Sequence, residues 1–195
     1  MTAVNGEAPC LVVIRGNSGS GKTSVAREVR RRYGRGCALL EQDHLRRIVL
    51  REHDSTKIDP VAPAFITGTA SAALEVGYHV ILEGILHAER YGDVLRELIG
   101  RHLGPVAVYY LDVSFDETVR RHHLHRADSG FTAEDMRDWY TPGDYLGTDG
   151  EHIIGEDSAF EQTVTTVLRT SGLAEAPATT PCPSRCPRCA GERRC

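Results

Sequence analysis

The sequence predicts an α/β protein in which a parallel sheet is covered by helices on both faces. Three observations carry that prediction. Short apolar runs rich in β-branched residues alternate with segments of helical period, and the alternation continues to about residue 170 without an internal repeat. A complete GxxxxGK[ST] stretch, Gly16-Asn17-Ser18-Gly19-Ser20-Gly21-Lys22-Thr23, falls between the first run and the first helical segment, the context such a stretch requires. At 195 residues and 41% hydrophobic content, the chain has material for one domain with a core and is short of two.

The elements follow in order. Cys10 to Arg15 (CLVVIR) is a strand buried on both faces that ends at glycine. From Lys22 to Tyr33, Val25, Ala26, Val29 and Tyr33 recur at helical spacing, and Tyr33-Gly34-Arg35-Gly36 stops the helix. Cys37 to Leu40 is a second strand running into Glu41-Gln42-Asp43-His44, followed by a helix with Leu45, Ile48, Val49 and Leu50. Residues 54–63 read as loop. Phe65, Ile66, Ala70, Ala73 and Leu74 mark the next helix, Tyr78 to Leu82 a third strand ending at Glu83-Gly84, and Tyr91, Val94, Leu95, Leu98 and Ile99 another helix. Val106 to Leu111 is the fourth strand, and Ser114 with Glu117 has capping-box spacing for the helix after it. Residues 127–150 are rich in Gly, Asp and Thr. A short strand at His152 to Ile154 and a helix from Ser158 to Leu168, with Phe160, Val164, Val167 and Leu168 inward, complete the domain.

Composition narrows the function. A net charge of −4 weighs against a protein that binds nucleic-acid backbone over a broad surface. The N-terminal MTAVNGEAPC lacks a basic segment followed by a signal-length apolar run, and the apolar stretches are strand-sized, so a cytoplasmic protein without membrane partners is expected. Cys10 and Cys37 sit alone in apolar runs and read as buried free thiols.

The glycine-rich stretch is built for phosphate. Its glycines let consecutive backbone N–H groups converge on phosphate oxygens, and the following helix adds a partial positive charge. Gly16, Asn17, Ser18, Gly19, Ser20, Gly21, Lys22, Thr23 and Ser24 form the expected nucleotide site. Lys22 reaches the β and γ phosphates, and the Thr23 hydroxyl ligates Mg²⁺. A dinucleotide motif GxGxxG fails because Ser24 stands where its last glycine belongs. Thr56-Lys57-Ile58-Asp59 spells TKxD too early to line a guanine pocket, and the third strand ends without the switch motif of a GTPase.

The order of elements and the small size resemble the nucleoside-kinase-like group of P-loop phosphotransferases over residues 10–170. Within that group, LEQDHLRR (residues 40–47) resembles the strand-2 signature shared by chloramphenicol phosphotransferase, zeta toxins and the phage polynucleotide kinase. The resemblance implies a P-loop NTPase three-layer fold. Its five-stranded parallel sheet has the order 2-3-1-4-5, in a kinase domain over residues 1–171 with a helical lid at about 120–147. It also implies ATP and Mg²⁺ as cofactors and Asp43 as general base toward an acceptor hydroxyl. Arg46 or Arg47 would hold the substrate, and Glu83 would contact substrate or orient a Mg²⁺-bound water. Arg121 and Arg126 in the lid would stabilise the transferring phosphoryl group. A plain helix N-cap remains the competing role for Asp43, and solvated helix charge for the arginines. Trp139, Tyr140 and Tyr145 either stack on the acceptor, with Trp139 the substrate-binding candidate, or form the small core of the lid. Residues 153–158 (IIGEDS) are where related kinases wrap adenine.

The expected activity is transfer of the ATP γ-phosphate to a hydroxyl of an antibiotic, nucleoside or sugar. A kinase of 5′-hydroxyl polynucleotides or nucleotide-sugars, and an ATP-binding regulator without transfer, are the alternatives. His122, His123 and His125 lack a spaced partner for zinc. Residues 172–195, with Cys182, Cys186, Cys189 and Cys195 among Pro and Arg, read as a disordered tail, a four-cysteine zinc knot and redox or other thiol chemistry being the alternatives.

Overall fold

The structure, a computed structural model, describes residues 8–52, 61–125 and 132–176, without the side chain of His125. The TKxD stretch at 56–59, Arg126 and the cysteines at 182, 186, 189 and 195 lie outside the described residues.

Five parallel strands form one sheet: β1 (Leu11–Gly16), β2 (Cys37–Glu41), β3 (His79–Gly84), β4 (Val106–Asp112) and β5 (His152–Gly155). Their order is β2-β3-β1-β4-β5, the order implied by the resemblance. Among the described residues, six α-helices accompany them: α1 (Lys22–Tyr33), α2 (Val61–Glu75), α3 (Ala88–Arg101), α4 (Phe115–His125), α5 (Ala133–Trp139) and α6 (Phe160–Thr170).

The period-two alternation of β1 divides its side chains between two cores. Val12 and Ile14 pack with Val25, Ala26 and Val29 of α1 and Val164 and Val167 of α6. Leu11 and Val13 pack on the other face with Ile66, Ala70 and Leu74 of α2 and Leu95 and Leu98 of α3. Cys10 and Cys37 are buried and free, and burial pushes both thiols up to about 12, so neither is a reactive thiolate. Leu173, beyond the boundary expected at residue 171, is also buried in the α1 and α6 core. Among the described residues, no helix is long and apolar enough to cross a membrane.

Several local expectations are corrected. The segment after β2 is a π-helical turn, His44–Val49, in which Leu50 N–H bonds the carbonyl of Leu45. The wider turn spreads the apolar positions, so only Leu45 is buried, while Ile48 is 65% and Val49 51% exposed. α2 starts at Val61, inside the expected loop, with Pro63 tolerated in its first turn. Phe160, expected inward, is 45% exposed because it is the first residue of α6, before the helix turns its stripe to the sheet. α5 was not expected from the residue 127–150 composition; the reciprocal capping box of Thr132 and Asp135 founds it. Conversely, the Ser114 box is half made. Ser114 Oγ accepts Glu117 N–H at 3.4 Å, but the Glu117 carboxylate binds Arg120 and Arg121 instead, which hold it down to about 2.

The packing makes a stability prediction. Ile81, fully buried in β3, is expected to lose about 2–5 kcal/mol on replacement by alanine. Phe160→Ala is expected to change stability by about 0.5 kcal/mol or less. Urea unfolding of both variants measures the contrast.

Candidate active site

The turn after β1 sits at the centre of the sheet, where strand ends of an α/β fold open a crevice. Gly16, Gly19 and Gly21 have φ of 148°, 80° and 97°, and the last lies directly before α1. At Gly19 a Cβ would lie 2.6 Å from the Thr118 carbonyl oxygen, and at Gly16 it would lie 2.9 Å from that of Leu111. Close approach as well as conformation therefore requires glycine at both positions. Lys22 is buried and donates from Nζ to the Asn17 carbonyl at 3.2 Å, folded back across the loop. Ser18 is half-buried and Ser24 exposed. The Asn17 side chain turns away from the loop's interior: its amide donates to the Thr141 carbonyl at 2.9 Å and accepts Thr141 N–H at 3.0 Å. What Asn17 offers a phosphate is backbone.

Next to the loop, the structure joins three strand ends. Glu83, the penultimate residue of β3, is 2% exposed and accepts the Thr23 hydroxyl at 3.1 Å on each carboxylate oxygen. Burial pushes the Glu83 carboxyl above its ordinary value; Lys22 and the Thr23 bond pull it back, while Glu41 and Asp43 push it further up. Lys22, Thr23, Glu83 and Asp43 thus share one electrostatic neighbourhood. Its oxygen donors, a hydroxyl and a carboxylate beside an N–H-lined turn, are the hard ligands that Mg²⁺ prefers.

The Glu83 shift fixes the sign of a pH effect. The folded state binds the Glu83 proton more tightly than the unfolded state does. Its contribution to stability is therefore full below the unfolded pKa and is lost as pH rises through the folded one. Glu83→Gln removes that loss. Urea unfolding of the ligand-free protein from about pH 4 to 8 should show the variant gaining stability relative to the parent as pH rises.

Asp43 follows β2. It makes no side-chain cap hydrogen bond, its side chain is 69% exposed, and Arg47 Nε lies 3.6 Å from it. The plain N-cap role is therefore not the one it plays. Arg46 Nε stands 3.9 Å from Glu52, with its side chain 12% exposed. Arg121 is drawn onto the loop: it donates to Ser20 O at 3.0 Å, to Glu156 O at 3.1 Å and to Glu117 at 2.6 Å. It thereby links the phosphate loop to the segment 153–158.

The aromatics of the expected lid divide. Tyr140 packs edge-on to Phe115 and donates to the Val113 carbonyl at 3.1 Å. Tyr145 packs on Tyr110 and donates to Asp112 at 2.8 Å. Tyr140 and Trp139 are half-buried, while Tyr145 keeps 44% of its surface exposed. The sequence reading missed Arg15, which is fully buried one residue before the loop, and its carboxylate partners Asp144 and Glu151. An arginine closing an apolar strand was the available signal.

The family profile AAA_33, described as an AAA domain, matches residues 11–139. No curated protein sequence matches the chain. Solved structures do. A sugar kinase from Janibacter sp. HTCC2649 is 20% identical with a TM-score of 0.67, the match covering 89% of this chain and 99% of that one. The APS kinase CysC of Mycobacterium tuberculosis, in complex with AMPPNP and APS, is 17% identical with a TM-score of 0.65, covering 87% and 99%. A gluconokinase from Sinorhizobium meliloti 1021 is 18% identical with a TM-score of 0.60, covering 87% and 94%. At these identities the likeness is one of fold.

Proposed function

We propose a small-molecule kinase for this chain, which belongs to the AAA_33 family. The reaction is transfer of the γ-phosphoryl group of ATP to a hydroxyl. One observation carries the reading: the adjacent ends of β2, β3 and β1 gather Asp43, the Glu83–Thr23 pair and the Lys22 loop around one crevice. The loop N–H groups and Lys22 bind the nucleotide phosphates. Thr23 and Glu83 would hold Mg²⁺, which when bound would neutralise charge on the nucleotide phosphates. Asp43 is solvent-facing, as an acceptor's access requires, and takes the proton of the attacking hydroxyl. Arg121, released from the Ser20 carbonyl, stabilises charge spreading over the phosphoryl oxygens.

The acceptor is a small hydroxyl compound of the sugar, nucleoside or antibiotic class. Sugar kinase and gluconokinase among the structural relatives support the sugar class. The test is Mg²⁺-dependent ADP release by the purified protein against a panel of sugars, nucleosides, hydroxyl antibiotics and 5′-hydroxyl oligonucleotides. Stimulation by a small acceptor supports the proposal, and stimulation by oligonucleotides alone replaces it with a polynucleotide kinase. ATP binding without stimulation by any acceptor favours the regulator.

A further inference from the structure

Arg15 is a charged side chain with no solvent exposure, on the β1 row of Leu11 and Val13. A buried guanidinium persists only when its donors are met; the guanidinium lies over the Tyr110 ring of β4, 5.7 Å from its centroid, and its hydrogen-bond partners among the described residues come from two segments. The first is the β3–α3 connection, where the Leu86 carbonyl accepts Arg15 Nε at 3.0 Å and Nη2 at 2.9 Å. The second is the stretch after α5, where Asp144 pairs with Nη2 at 2.9 Å and Glu151 with Nη1 at 3.4 Å.

The partners are themselves bridges. Leu86 has φ 46°, the left-handed region a leucine avoids, and is pinned at both ends. Its N–H donates to Gln42 Oε1 at 3.1 Å, and Gln42 precedes Asp43 in the chain. Asp144 accepts the N–H of Ala88, the first residue of α3, at 3.1 Å on both oxygens, and lies 3.6 Å from His87 Nδ1. It thus caps α3 from a distance, since His87 makes no side-chain cap bond. Glu151 accepts the N–H groups of Leu146 at 3.0 Å and Gly147 at 2.8 Å.

We propose that Arg15 is a positioning residue for the acceptor side of the crevice. It holds the Leu86–Ala88 loop, the Gln42–Asp43 turn and the stretch around Asp144 in one fixed frame. The proposal rests on reading the Asp43 end of the crevice as the acceptor side; the frame itself is tested without an acceptor.

The experiment is amide hydrogen exchange on the full chain for the parent, Arg15→Met, Asp144→Asn and Gln42→Leu, with Mg·ADP binding followed by Trp139 fluorescence. Arg15→Met and Asp144→Asn are expected to speed exchange about tenfold or more in peptides covering 86–88 and 146–147, with β1 and β4 unchanged. Gln42→Leu should speed 86–88 alone. The Mg·ADP Kd of Arg15→Met should stay within about threefold of the parent's, because Arg15 makes no contact with the loop N–H groups. Parent-like exchange in all variants overturns the proposal. So does a uniform rise across the sheet, which would make Arg15 a core stabiliser, and so does a Kd weakened tenfold or more. If Arg15→Met does not fold, Asp144→Asn decides by the same criteria. Failure of the parent to bind Mg·ADP would count against the kinase reading, while the exchange result would still decide the frame.

Discussion

Asp43→Asn is expected to lower kcat by about 10²–10⁴ with any acceptor while leaving Mg·ATP affinity within about threefold of the parent. The size follows from the role. Asparagine keeps the shape and the exposed position after β2 but cannot take a proton, so the loss falls on the transfer step. The constancy of affinity follows from geometry: Asp43 follows β2 and pairs with Arg47, and the phosphate loop stands on β1, with β3 between the two strands. A loss of stability is not expected, because Asp43 caps nothing and is mostly exposed. Steady-state kinetics together with nucleotide titration separate the two quantities. An Asp43→Asn enzyme with parent-like kcat would remove Asp43 from the chemistry.

The second large effect is that of Lys22→Met, and its pattern differs. Lys22 is buried beside Glu83 and donates to the Asn17 carbonyl, so its charge lies at the phosphate loop. Removing it should cost about 10²–10³ in kcat, comparable to deleting one preorganised donor, and should weaken Mg·ATP binding as well. It should also push the Glu83 carboxyl further up, since Lys22 is the foremost group pulling it down. Loss of both kcat and affinity in Lys22→Met, against loss of kcat alone in Asp43→Asn, distinguishes the phosphate side from the acceptor side.

Much of this arrangement was legible in the residues. The β1 run, the complete phosphate-loop stretch and the helix after it are local signals, and the structure places them as read. The pairing of Thr23 with Glu83 required the strand order, which came from resemblance rather than from any local pattern. What stayed illegible is non-local or irregular. The π-helical turn after Asp43 breaks the 3.6-residue period that the apolar spacing of Leu45, Ile48 and Val49 suggested. Tyr140 and Tyr145 read equally as ligands or lid core, because their ring contacts with Phe115 and Tyr110 are non-local. Arg15 was read only as the last residue of an apolar strand; the carboxylates that meet it in the interior lie more than a hundred positions away. Asn17 looked like part of the nucleotide site, yet its side chain serves Thr141. Arg15 and Asn17 flank Gly16 and grip the same distant stretch, so the phosphate loop is anchored to residues 141–151 on both sides of its first glycine.

The most direct test follows the γ-phosphate itself. Purified protein is incubated with Mg²⁺, γ-labelled ATP and the acceptor that most stimulates ADP release, and the label is located by mass spectrometry. The account predicts label in a phosphate ester of the acceptor, abolished by Asp43→Asn in protein that still binds Mg·ATP. Label found only as inorganic phosphate, in parent and variant alike, would contradict it.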